Sequence, residues 1–238
     1  MLSRLILLSV MALAPAGLYN QGNQFYARKD YAAAARAYQQ ALRAGPSADV
    51  CYNLGNALFK SGKVGPAIVQ YRRAHYLHPR DADIGRNLSF ARSYRVDKVL
   101  TVPGPMALVL DGTFHLLSRR EAALLAAVSF LLAALSLSAW VVRRGPVWIL
   151  GTTVFAALSL FCLITQWVWA GERSAHPAVV VAPEVNALSG PGEEFKQILL
   201  LHDGTEVRIR ERRGDYLLVQ LSGGSGGWIR SEAVERVY

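Results

Sequence analysis

Apolar positions along this chain fall into three textures. From Gly17 to about Tyr94 they recur at three- and four-residue spacing, as in YNLGNALF at 52–59, the rhythm of amphipathic helices. From Ala122 to Ala170 polar side chains nearly vanish. From Pro177 onward apolar and polar residues alternate in short runs such as Val207-Arg208-Ile209-Arg210. Asp203-Gly204, Arg213-Gly214 and the Gly223–Gly227 cluster break those runs, as tight turns between short strands do. The pattern predicts a multidomain membrane protein: an all-α module, a transmembrane helical hairpin and a small all-β barrel of five or six strands.

The helical region repeats itself. Gly22-Asn23 matches Gly55-Asn56, Ala34 matches Ala67, Tyr38 matches Tyr71 and Pro46 matches Pro79, at a period of 33 residues. These positions resemble the tetratricopeptide repeat. Two repeats and a capping helix, DADIGRNLSFARSYRVDK, then make up a domain at 17–98. Gly22, Ala34, Gly55 and Ala67 are expected where paired helices cross closely, and Gly62 and Gly65 in the turn between helices. The resemblance implies a concave face built from the first helix of each pair. Asn23, Tyr26, Tyr52, Asn56, Phe59, Arg86 and Phe90 are its expected protein-binding residues. The asparagines there are expected to bond a peptide backbone or carboxylate, or else neighbouring helix termini and solvent. His75 and His78, beside three arginines, are too few for a metal site and suit a helix C-terminus.

Ala122–Val142 and Val147–Ala170 are runs of 21 and 24 uncharged residues, long enough to span a bilayer. Only Arg143, Arg144, Gly145 and Pro146 separate them, so they form a tight hairpin. Residues 1–16 carry Arg4, an apolar stretch and small residues at Ala14 and Ala16, as a signal peptide does. Arg143-Arg144 favour a cytoplasmic loop and Arg119-Arg120 pull the other way. The leader decides, exporting both polar domains to the periplasmic side of a bacterial inner membrane. Residues 99–121 are expected as a juxtamembrane linker whose Phe114, Leu116 and Leu117 touch lipid or the first span.

The C-terminal run resembles a bacterial SH3 domain over 178–238. Its marks are Val179-Val180-Val181-Ala182, Leu188-Ser189-Gly190-Pro191, Gly214-Asp215-Tyr216 and Gly227-Trp228-Ile229. Tyr216 and Trp228 are its expected ligand-facing residues, with edge packing as the alternative for Trp228. The resemblance implies binding of peptides or cell-wall fragments, as in secreted proteins, or an interaction module, as in membrane-tethered ones.

Charge sharpens the division. Residues 17–98 hold 13 Lys/Arg against 5 Asp/Glu, whereas 171–238 hold 8 against 10, which suggests separate modules with different surfaces. An exported basic domain excludes nucleic acid as its partner. Cys51 and Cys162 give no disulfide framework and are expected as buried small hydrophobes. No nucleophile–base pair or phosphate-binding glycine loop is present, and Glu193-Glu194 lack a catalytic companion, so neither an enzyme nor a cofactor is expected.

The order of parts is similar to that of BatE-like proteins of the bacterial aerotolerance operon. Tyr52-Asn53-Leu54-Gly55-Asn56-Ala57, Asn87-Leu88-Ser89-Phe90-Ala91-Arg92 and the two spans carry the resemblance. It implies a membrane-anchored scaffold working beside von Willebrand factor A membrane proteins and a MoxR-type ATPase in envelope stress. A cell-wall or glycan sensor acting through the C-terminal domain is the alternative.

Overall fold

The computed structural model describes residues 16–97 and 112–238. The leader at 1–16 and the first part of the linker at 99–121 lie almost wholly outside these residues. The chain divides into two compact units, one joining Met1–Thr101 with Ala175–Tyr238 and the other running over Val102–Ser174.

The helices of the first unit are α1 (residues 16–27), α2 (Tyr31–Leu42), α3 (Ala48–Lys60), α4 (Val64–Leu77) and α5 (Ala82–Ser93). Three of them start on side-chain caps that satisfy free N–H groups: Asp30 accepts from Ala33, Ser47 from Val50, and Asp81 from Asp83 and Ile84. Each helix from α2 onward packs on the next. Ala34, Leu54, Ala67 and Ile68 are fully or almost fully buried between them.

The repeat is visible in atomic contacts. A Cβ on Gly22 would lie 2.4 Å from the Tyr38 ring, and one on Gly55 2.7 Å from the Tyr71 ring. The turn after α1 bonds Lys29 N–H to the Tyr26 carbonyl and Asp30 N–H to that of Phe25. After α3 the same pair recurs from Gly62 to Phe59 and from Lys63 to Leu58. Both are the double bond that closes a helix through a left-handed residue.

The strands are β1 (Pro177–Val180), β2 (Glu184–Leu188), β3 (Gln197–His202), β4 (Glu206–Arg213), β5 (Tyr216–Gln220), β6 (Gly226–Arg230) and β7 (Val234–Arg236). They form one antiparallel sheet in the order β3-β2-β6-β5-β4-β1-β7. Inward residues Ala178, Val180, Leu201, Val207, Leu217, Val219 and Ile229 make its core. The expected barrel of five or six strands is corrected to a seven-stranded sheet without hydrogen-bonded closure. Two short strands at the ends of the segment, β1 and β7, pair with each other, and β1 pairs with β4.

The sheet packs on α4, and Val179 and Val237 enter the helical core. Lys63 gives α4 no side-chain cap. Asp203, in the turn between β3 and β4, supplies one by accepting from Gly65 N–H at 3.0 Å. Gly65 is the second residue of α4 rather than a turn residue. A Cβ there would come within 2.3 Å of both the Asp203 carboxylate and the Val180 carbonyl. The two polar segments are therefore parts of one compact body instead of separate modules.

The second unit contains a helical turn, α6 (112–114), and the helices α7 (Arg119–Arg143) and α8 (Pro146–Ser174). Ser118 and Glu121 form a reciprocal cap at the start of α7. With 25 and 29 residues, both helices are long and apolar enough to cross a membrane. Their lengths of about 37 and 43 Å exceed a hydrocarbon core of about 30 Å. Small residues make their contact: Ala122, Ala126, Ser129 and Ala133 on α7, with Ser159, Cys162 and Thr165 on α8. Phe114 stacks on Phe161 of α8 at 5.6 Å, and the Trp169 indole donates to the Leu117 carbonyl at 3.0 Å. Phe114 and the Leu117 carbonyl thus meet the second long helix, whereas Leu116 is exposed.

Candidate functional site: the open face of the helical repeats

The expected groove residues divide into two groups. Asn23, which is exposed, and Asn56, which is half-buried, belong to a hydrogen-bond ladder along the repeats. The buried Tyr38 hydroxyl donates to Asn23 Oδ1 at 2.7 Å, and the buried Tyr71 hydroxyl to Asn56 Oδ1 at 2.8 Å. Asn87 Nδ2 donates to Asn56 Oδ1 and to the Tyr52 hydroxyl, both at 2.9 Å, and Asn53 donates to Tyr19 in the unit before. A buried phenol needs an acceptor, and these carbonyls provide it. Burial pushes the Tyr38 phenol up to about 12 and raises Tyr71 as well. Each of these asparagine carbonyls thus serves a buried phenol of its own repeat. Tyr52 shares this role, half-buried with its ring 6.1 Å from that of Tyr71.

The second group is an aromatic surface. Tyr26 is half-buried and packs edge-on against Tyr31 at 5.2 Å. Phe59 is half-buried and lies 5.5 Å from Phe90 and 5.2 Å from Tyr94. Phe90 and Tyr94 remain 53 % and 59 % exposed, so this cluster meets solvent although it sits on the core. Arg86 is exposed and paired with Asp83 of its own helix. Tyr94 was missed by sequence reading. Its signal is the four-residue step from Phe90, which stacks the two on one helix face.

The sheet covers another side. It packs on α4, and its carboxylates meet the arginines of α4 and α5 and the turn that follows. Glu206 accepts from Arg92 through two bonds of 2.8 Å, from Arg95 at 2.9 Å and from Arg72 at 3.2 Å. Burial opposes its charge, but the Arg92 hydrogen bonds and the charges of Arg92, Arg72 and Arg95 outweigh that and hold its carboxyl below the usual range. Arg73 donates to Glu235 and to the carbonyls of Arg236 and Val237. Asp97 accepts from His202 N–H at 2.8 Å and from the Thr205 hydroxyl at 2.5 Å.

On the sheet, Trp228 is only 7 % exposed, with the Arg213 guanidinium over its ring at 5.3 Å. It packs rather than presents a platform. Tyr216 is half-buried and lines a cleft of about 690 Å³ with Glu184, Leu188, Glu193, Arg230 and Glu232. Arg230 pairs with Glu193 across its mouth.

No protein-family model matches the chain. No curated protein matches it either. Among solved structures, the C. elegans SMG5-SMG7 complex is similar over 69 % of this chain and 46 % of that one, at 12 % identity and a TM-score of 0.33. The match thus spans less than half of that chain, and similarity at this level fixes neither ligand nor role.

Proposed function

We propose that the protein is a non-enzymatic, membrane-anchored scaffold that captures partner proteins on the aromatic face of its helical repeats. The observation that carries this reading is the solvent-facing cluster of Phe59, Phe90 and Tyr94 on helices whose neighbour α4 is covered by the protein's own sheet. An apolar surface left open to solvent suits a partner. The 33-residue recurrence supports reading the helices as tetratricopeptide repeats, and the strand order and Gly-Trp-Ile segment suit a bacterial SH3-like domain. In this reading α7 and α8 cross the bacterial inner membrane, and two crossings return the chain to the periplasmic side. The BatE-like order of parts names the partners as von Willebrand factor A membrane proteins working with a MoxR-type ATPase in aerotolerance.

The test is affinity purification from cells in mild detergent, comparing the native chain with Phe90→Glu and Phe59→Ala. Recovery of von Willebrand factor A membrane proteins is expected to fall several-fold for both variants. Unchanged recovery with a folded protein rejects the face as a docking site. Asn56 is unsuited to this test because it holds Tyr71 and Asn87 in place.

The cleft beside Tyr216 favours a second reading, a sensor of cell-wall peptides. Retention of the protein on purified peptidoglycan, lost in Tyr216→Ala and kept in Phe90→Glu, would favour that role.

A further inference from the structure

Strand β4 reads EVRIRERR, with four arginines in eight residues. Its two carboxylates are already taken: Glu206 by Arg72, Arg92 and Arg95, and Glu211 by Arg213. Arg208, Arg210 and Arg212 are exposed, and none of them makes an ion pair among the described residues. Arg210 Nε donates to Gln220 Oε1 at 2.8 Å. Gln220 is the register partner of Arg208, so these two arginines flank one neutral side chain. Arg212 Nε donates to the Gly214 carbonyl in the turn that follows.

The register ties this stripe to the end of the second apolar helix. β1 starts at Pro177, opposite Arg208, and the Ile209 N–H bonds the His176 carbonyl. The two strands are antiparallel, so β4 runs on over 210–213 past the start of β1. On that side these residues have no strand partner among the described residues. The apolar run of α8 ends at Ala170, which leaves 171–174 of the helix and two further residues before β1. Four helical and two extended residues span at most about 13 Å. A headgroup layer is about 5–8 Å deep, and its charge is felt about 8 Å beyond it. The stripe is thus tethered within reach of lipid phosphates.

Charged side chains on an unpaired strand edge also deter pairing with another chain. That account is indifferent to sign, and glutamates would serve it as well. Three uncompensated positive charges on one short strand need a negative partner.

We propose that Arg208, Arg210 and Arg212 bind the phosphates of anionic phospholipid headgroups and hold the repeats and sheet in a fixed orientation on the bilayer. The planar fork of a guanidinium matches phosphate oxygens, as a lysine ammonium does not. This rests on the membrane anchorage proposed above and goes beyond it.

The experiment uses the full chain, one copy per nanodisc, with a nitrobenzoxadiazole dye on Ser222→Cys in the turn after Gln220. Cys51 and Cys162 are buried and leave that site to the dye. Quenching by a lipid with a nitroxide headgroup reports how close the stripe lies to the phosphates. Adding phosphatidylglycerol to phosphatidylcholine discs is expected to raise the quenching about twofold, and salt should reverse the gain. Neutralising any one of the three, as in Arg208→Gln, should weaken docking by about fivefold. Joint Arg→Glu replacement keeps the edge charged and should abolish the gain. Joint Arg→Lys replacement should retain most of it and shows that the substituted strand still folds.

Equal quenching in the two lipid mixtures overturns the proposal, as does a gain that survives the Arg→Glu replacement. Quenching that changes only when two copies share a disc assigns the stripe to a second copy, and the proposal fails. Extraction of the chain from cell membranes by alkaline carbonate would overturn the anchorage itself. A chain that resists extraction while its dye ignores phosphatidylglycerol leaves the anchorage intact and removes only the lipid-bound stripe.

Discussion

Glycines in this chain do different work according to what stands opposite them. Gly55 lies inside α3, where its missing side chain admits the Tyr71 ring, and an added Cβ would come to 2.7 Å from a ring carbon. Gly85 lies inside α5, and an added Cβ meets nothing within 4 Å. Alanine favours a helix over glycine by about 1 kcal/mol, whereas forcing an atom into a packed contact costs about 1–3 kcal/mol. Gly85→Ala is therefore expected to raise the denaturation midpoint by the equivalent of about 0.5–1 kcal/mol. Gly55→Ala should lower it by about 1–2 kcal/mol, the clash outweighing the helical gain. Urea unfolding followed by helical circular dichroism measures both, and a stabilised Gly55→Ala protein would show that Tyr71 yields freely. The close crossings at Gly22 and Gly55 were legible because small and aromatic residues recur together at the repeat period. The ladder of Asn23 and Asn56 was not, since asparagine serves a buried phenol or a partner equally well in the sequence. The placement of the Tyr38 and Tyr71 hydroxyls shows the first of these roles.

Elements were easier to read than their partners. Periodicity locates each helix and strand because it depends on neighbours a few residues away. The contact between α4 and the sheet depends on pairs such as Gly65 with Asp203, 138 residues apart, and Arg92 with Glu206, 114 apart. No local pattern announces such pairs. The opposite charge balance of the two polar segments was the one available hint, and it describes complementary surfaces of one body. Glu206 is central to that body, with three arginines around a side chain only 18 % exposed. Its carboxyl is held below its ordinary 4.5, so it contributes stability at higher pH that disappears as pH falls through its folded-state value. Asp97 acts in the same direction: the bonds from Thr205 and His202 outweigh its burial and hold it below 3.8. Asp203 opposes them, because burial raises its carboxyl despite the N–H bonds of Gly65, Val64 and Gly204. The native chain should therefore loosen at this contact below about pH 4. Glu206→Gln should lose about 3 kcal/mol near neutrality by leaving the arginines without a counter-charge, and should show a weaker acid transition. Thermal melts across pH compare the two, and parallel curves would mean that Glu206 does not govern the acid response.

At the scale of the whole molecule, the first unit is assembled from both ends of the chain with the two apolar helices inserted between them. Val179 and Val237 complete a core that begins with Ala34, Leu54 and Ile68, and Tyr238 packs on Tyr76 at 4.7 Å. A core shared in this way binds its contributors into one cooperative body, because exposing the sheet's contribution uncovers apolar surface on α4. Between the halves in sequence stand two helices long and apolar enough to cross a membrane. The consequence can be tested by removing the hairpin. A chain in which 102–174 are replaced by a long Gly/Ser linker should be soluble without detergent, because the exposed apolar surfaces of α7 and α8 are gone while the shared core is kept. Its helical and sheet signals should then disappear in a single transition on heating. Glu206→Gln should shift both signals together by the same number of degrees, as a contact common to both parts requires. Two separate transitions, or a shift confined to one signal, would show that the helices and the sheet fold independently and that their contact adds nothing to either.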